Sequence, residues 1–141
     1  MKVYLDNCCF NRPYDEQIQT KIILETEAKL KIQEKIRARE LTLIWSYILE
    51  KENDDNPDDK AKDTIAEWRN FADTKFIASE IIIIKAQEFE KYGIHPNDSL
   101  HIACAIQGGA EIFSTTDKNI MNKSDKITQI RIMNPMLYFL E

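Results

Sequence analysis

No apolar run in these 141 residues approaches the ~18 that a membrane-spanning helix requires, so the chain reads as soluble. At the N-terminus, Met1-Lys2 is followed by only Val3-Tyr4-Leu5 before an acid. That is neither an apolar signal region nor an Arg-rich transit pattern, and a cytoplasmic location without membrane association is expected. Cysteine is sparse: three residues, two of them adjacent (Cys8 and Cys9), cannot build an even disulfide framework. No His or Cys stands near them at metal-ligand spacing, so they read as reduced, half-buried small residues. Positive charge is in deficit, with 19 Lys and Arg against 24 Asp and Glu and a net charge of −5. This argues against a broad electrostatic footprint for nucleic acid, although a divalent ion held by acids would still draw phosphates in locally. Internal repeats and low-complexity tracts are missing. Length, 43% apolar and 30% charged residues together indicate one globular domain, residues 1–141.

The chain alternates strand and helix signals. Lys2-Val3-Tyr4-Leu5 is a short β-prone run ending directly on Asp6, with Asn7 and Asn11-Arg12-Pro13 as stop signals. Asp15 to Glu40 contains no Gly or Pro and repeats Ile and Leu at helical spacing, which predicts an amphipathic helix. Leu41 to Ser46 reads as a second buried strand running into a helix over Ser46 to Asn53. The polar connector Asn53 to Asp59 closes with helix-start signals, and Lys60 to Asp73 reads as a further helix through Ala61, Ile65, Trp68 and Phe71. Phe76 to Ser79 is ambiguous. Glu80 to Tyr92 reads as a helix by period, although its four consecutive isoleucines would also suit a strand. Gly93 ends that element, and Pro96 opens a helix that runs to Gly108-Gly109. Ala110 to Thr115 is expected as a third strand with Thr116-Asp117 at its tip. A helical turn at Lys118 to Asn122, a strand at Ile127 to Met133, and an apolar patch at Met136 to Leu140 follow. Such alternation predicts an α/β fold with a mostly parallel central sheet covered on both faces.

Within that fold, acids gather at the carboxyl ends of strands, where open α/β sheets collect their chemistry. Hard cations such as Mg²⁺ and Mn²⁺ take oxygen ligands, usually several carboxylates converging from separate elements. Asp6 and Asp117 end two strands and would share one edge of a parallel sheet. Glu52 falls on the stripe of Trp45, Ile48 and Leu49, where a carboxylate is costly unless paired or bound to a metal, whereas Glu50 projects elsewhere. Asp98 lies in the first turn of the Pro96 helix. Three of the four also have a purely structural reading: a turn or cap at Asp6, the wet edge of a helix at Glu52, dipole complementation at Asp98. His101, one turn beyond Asp98, reads as a structural hydrogen bonder.

Four segments, Tyr4-Leu5-Asp6-Asn7, Ser46 to Glu52, Asn97-Asp98-Ser99-Leu100-His101-Ile102-Ala103 and Ser114-Thr115-Thr116-Asp117-Lys118-Asn119, together resemble the acidic motifs of the PIN-domain family. They occur in the family's order and span almost the whole chain. The resemblance implies a three-layer α/β/α sandwich and a ribonuclease in which Asp6, Glu52, Asp98 and Asp117 hold Mg²⁺ or Mn²⁺ for hydrolysis of RNA phosphodiesters. It implies supporting roles for Asn7, Thr115, Thr116 and Asn119, the last standing where many relatives carry a further acid. Many small bacterial members similar to this chain are toxins of toxin–antitoxin pairs. A small antitoxin placing a basic side chain among the acids, and a homodimer, are therefore further expectations. The alternative is a non-catalytic PIN-like RNA- or protein-binding module. A phosphoryl-transfer enzyme of the haloacid dehalogenase type would need a second Asp where Cys8 stands, and a receiver-type phosphoacceptor would need paired acids where the chain has Asp6-Asn7.

Overall fold

The computed structural model describes residues 1–10, 20–76 and 79–138. Five strands form one all-parallel sheet: β1 (Lys2–Leu5), β2 (Thr42–Ser46), β3 (Ala72–Phe76), β4 (Ile112–Ser114) and β5 (Arg131–Met133), in the order β3-β2-β1-β4-β5. The chain steps from β1 through β2 to β3 at one edge, then crosses back to β4 on the far side of β1. Crossovers between parallel strands are right-handed, so reversing direction puts the connections of the two halves on opposite faces. Burial agrees: Val3, Tyr4 and Leu5 are all buried although successive side chains point to opposite faces. The α/β fold expected from the alternating signals is the one observed, a parallel sheet flanked by helices.

The helices are α1 (Thr20–Arg37), α2 (Tyr47–Asp54), α3 (Asp59–Glu67), α4 (Glu80–Glu90), α5 (Pro96–Gln107), α6 (Lys118–Asn122) and α7 (Pro135–Tyr138). Ser46 ends β2 and caps α2, its hydroxyl accepting from Leu49 N at 3.3 Å. Pro96 sits in the first turn of α5, where its missing N–H costs nothing. The isoleucine run at 81–84 is helical, as its period suggests, and Ile82 alone of the four is buried. None of the helices among the described residues is long and apolar enough to cross a membrane. The expected helix start before Thr20, the stop signal at residues 11–13, residues 77–78 of the ambiguous stretch and the last part of the C-terminal patch lie outside the described residues.

One expectation is overturned. The helix expected over Lys60 to Asp73 stops at Glu67; Trp68–Phe71 is a 3-10 turn, and Ala72–Phe76 is strand β3. Ala-Asp-Thr-Lys-Phe lacks the apolar run of a central strand because β3 is an edge, paired to β2 alone and free to be polar. Tertiary pairing outweighs a weak local preference here. Trp68 remains the buried anchor, its ring against Phe10 and Phe71 with the Arg37 guanidinium 4.6 Å from its centroid. The strand expected over Ile127 to Met133 is also shorter. Its first residues form a loop that buries Ile127 and Ile130, and only Arg131–Met133 pair.

The end of α1 is fastened to this edge by Arg39, whose φ of 63° is the left-handed conformation usually left to glycine. Its guanidinium donates to Phe71 O at 2.9 Å and lies 3.6 Å from Asp73. Asp58 opens α3 by accepting from both Lys60 N and Ala61 N at 3.1 Å. Asp58→Ala is expected to lower stability by about 1 kcal/mol in urea titrations, while leaving the acidic edge of the sheet unchanged.

Candidate active site at the carboxyl edge of the sheet

β1 and β4 lie side by side with Leu5 opposite Ser114, and Asp6 N extends the ladder by donating to Ser114 O at 2.9 Å. Strand order reverses between these two strands, so the residues just beyond them occupy the crevice where open α/β sheets bind ligands. Asp6 is 7% exposed. Its Oδ1 accepts from Asn7 N at 2.8 Å, capping the 3-10 turn Asn7–Cys9, and its Oδ2 accepts from Thr115 Oγ1 at 2.7 Å. Thr115 Oγ1 in turn accepts from Asp117 N at 3.1 Å, and Asp117 Oδ1 caps α6 by accepting from Asn119 N and Ile120 N at 2.8 and 3.2 Å. Two acids from opposite ends of the chain are thereby locked together through one buried threonine. Asn119 contributes a backbone N–H, and Thr116 donates its hydroxyl to Cys8 Sγ at 3.3 Å.

The two glutamates of α2 part company. Glu50 Oε1 accepts from Arg69 Nη1 at 2.8 Å and from Trp45 Nε1 at 3.3 Å, and the Arg69 bond holds its carboxyl below the usual carboxylate range. Glu52 instead turns to α5, where His101 Nε2 contacts its Oε1. His101 is fully buried and its Nδ1 lies 2.6 Å from Tyr4 Oη, so it is a structural hydrogen bonder on both ring nitrogens. Asp98, three residues before it, is partly buried, and its carboxyl is pushed up to about 6. Burial is the largest cause; the negative charges of Asp6, Asp117 and Glu52 add to it, and His101 partly opposes them. Asp98 therefore feels the other three acids at this edge.

Among the described residues, no three His, Cys, Asp or Glu side chains form a ready-made chelate as they stand. The donor set nonetheless suits a hard divalent cation, being all oxygen, and positive charge would relieve the repulsion at Asp98. Asn7 Oδ1 is a second sign, a buried acceptor without a hydrogen-bond partner next to Asp6. Sequence reasoning did not assign Tyr4 and Cys8 to this edge. Tyr4 had a signal, since a tyrosine in a strand buried on both faces needs a partner for its hydroxyl. Cys8 had none; its Sγ–H donates to Asp6 Oδ2 at 3.7 Å only because the turn after β1 folds back.

Comparison with known proteins agrees with this architecture. The chain superposes on the crystal structure of VapBC2 from Rickettsia felis bound to a DNA fragment from their promoter with a TM-score of 0.57 at 14% identity, covering 95% of this chain and 98% of the other. It superposes on VapBC-1 from nontypeable Haemophilus influenzae with a TM-score of 0.54 at 17% identity, covering 96% and 98%. At such identities the likeness concerns the fold. No curated protein matches the sequence. Residues 3–126 match the PIN domain, a span that runs from within β1 to beyond α6 and includes every acid described above, and the chain belongs to the PIN domain family.

Proposed function

We propose that this chain is a divalent-metal-dependent ribonuclease in which Asp6, Glu52, Asp98 and Asp117 hold Mg²⁺ or Mn²⁺ against an RNA phosphodiester. What supports the reading most is Asp98, whose carboxyl is raised first by burial and then by the charges of Asp6, Asp117 and Glu52, three acids from separate segments near the switch point of the sheet. The chemistry supplied by Mg²⁺ or Mn²⁺ when bound is Lewis acidity, acidifying water and offsetting negative charge at the phosphate. The chain's own part is to orient. Thr115 and the backbone N–H groups of Asn7, Asn119 and Ile120 fix Asp6 and Asp117 before any ligand arrives. Asn7, Thr116 and Asn119 add neutral hydrogen-bonding groups for water and phosphate. With a net charge of −5, affinity for RNA comes chiefly from this centre and not from a basic surface.

The two solved neighbours named above are VapBC complexes; by analogy with them, the chain is taken to be a cytoplasmic toxin ribonuclease held by an antitoxin, with a basic side chain of that partner among the acids. Homodimerisation belongs to the same proposal. Ile81, Ile83 and Ile84 of α4 are 62%, 44% and 54% exposed, an apolar surface that a second copy would cover. Light scattering on the purified chain is expected to give the dimer mass, and a monomer at micromolar concentration would remove that part of the proposal.

Degradation of a mixed RNA pool tests the activity. Wild type is expected to cleave with Mn²⁺ or Mg²⁺ and to stop with EDTA. Asp6→Asn and Asp98→Asn, folded by circular dichroism, are expected to lose at least ~100-fold in rate, the order seen when one electrostatic contact to a developing charge is removed. Metal-dependent stabilisation without cleavage would instead identify a binding module.

Asp98 also sets a pH dependence with a definite sign. Its folded value of about 6 lies above the ordinary 3.8, so the stability it contributes is fully present below about pH 4 and lost as pH rises through 6. Without metal, Asp98→Asn should match wild type in thermal stability at pH 4 and exceed it at pH 7. Protons compete with the cation, so Mn²⁺ should raise the melting temperature of wild type more at pH 8 than at pH 5. Equal shifts at both pH values would count against Asp98 as a ligand.

A further inference from the structure

Three fully buried polar side chains from β1, the end of β2 and α5 form a continuous chain that ends on Glu52. Ser46 Oγ lies 2.5 Å from Tyr4 Oη, Tyr4 Oη lies 2.6 Å from His101 Nδ1, and His101 Nε2 meets Glu52 Oε1. Tyr4 is pinned from the side by Phe113, stacked at 5.4 Å, and by the edge of the His101 ring at 5.7 Å. Nothing in the proposed chemistry requires these three groups to touch RNA or metal, and the interior could hold apolar side chains of the same size. Their common end point on Glu52 suggests what they do.

Ser46 Oγ already accepts from Leu49 N as the cap of α2. The second lone pair of Ser46 Oγ leaves the Ser46–Tyr4 and Tyr4–His101 bonds free to run either way, but at the far end the direction is fixed: Nε2 carries a proton, because it faces a carboxylate that can only accept. We propose that Tyr4 and His101 are positioning residues that hold Glu52 by its Oε1, so that Oε2 is presented to the cation. The inference rests on the four-acid reading above. Glu52 needs such a hold more than its neighbours do. Asp6 and Asp117 are fixed by backbone N–H groups and a threonine, whereas Glu52 projects on a longer, more flexible side chain from the second turn of a short helix. Groups that orient a ligand in this way typically change metal affinity by about 10–100-fold when removed.

Two measurements separate the inference from the reading it rests on. In the metal-free protein, imidazole ¹⁵N shifts at pH 7.5 are expected to show a proton on His101 Nε2; a bare Nε2 overturns the inference whatever the protein's activity. Mn²⁺ affinity, read from the electron paramagnetic resonance of the free ion, then tests the hold. Tyr4→Phe is expected to weaken Mn²⁺ binding about 10-fold, and to have no further effect in a Glu52→Gln background. His101→Gln places an amide N–H near the position of Nε2 and should retain more affinity than His101→Asn, whose amide mimics Nδ1. A general loss of packing would affect both amides alike, so equal losses in the two overturn the inference. Full affinity in Tyr4→Phe overturns it too. If wild type binds no Mn²⁺, the four-acid reading fails and takes the cation-presenting role with it, while the ¹⁵N pattern still shows whether the chain holds Glu52.

Discussion

The acidic edge depends on β1 being enclosed between β2 and β4. Because the sheet order reverses there, residues 2–5 have neighbours from both halves of the chain, and the residue that follows them emerges in the crevice between those halves. Pairing of Leu5 with Ser114 sets the register that brings Asp6 opposite Thr115, and a shift of one residue would turn Thr115 away from it. Tyr4, one residue earlier and fully buried, faces Phe113 and His101. A single strand of four residues thus aligns Asp6 with Asp117 through Thr115, and Glu52 with the interior through Tyr4 and His101.

Crowding four acids on this edge is electrostatically unfavourable without a counter-charge, and the hydrogen bonds show how the fold tolerates it. Asp6 and Asp117 each cap a helical turn, so the same bonds that finish local structure also hold the carboxylates in place. Asp98 lies at the N-terminal end of α5, where a negative charge is favoured, yet burial and its three acidic neighbours still raise it. The structural readings of these residues and the functional one are therefore not rivals. Capping orients the oxygens that a divalent cation would take.

Much of this placement was legible in the sequence because it follows from local rules. Strand ends located Asp6 and Asp117 on one edge. Helical spacing from Ile48 and Leu49 set Glu52 apart from Glu50, and the structure turns Glu50 to Arg69 and Glu52 to His101; Trp45, read as part of the same helical stripe, instead lies in β2 and donates its indole N–H to Glu50. What could not be read is non-local. β3 carries no apolar run, since an edge strand needs none, and its identity comes from its pairing with β2. The bond between Tyr4 and His101 joins residues 97 apart in sequence, and no periodicity links them. Cys8 and the unpartnered Asn7 Oδ1 reach the site through a 3-10 turn that residue types alone do not specify.

The central claim is that these four acids form one metal centre, and the most direct test is a crystal of the protein soaked in Mn²⁺ with data collected at the manganese edge. The account predicts an anomalous peak bounded by the carboxylates of Asp6, Asp98 and Asp117, with Glu52 reaching it by the oxygen that His101 leaves free. A peak elsewhere on the molecule, or none at millimolar Mn²⁺ with the acidic edge open to solvent, would contradict it.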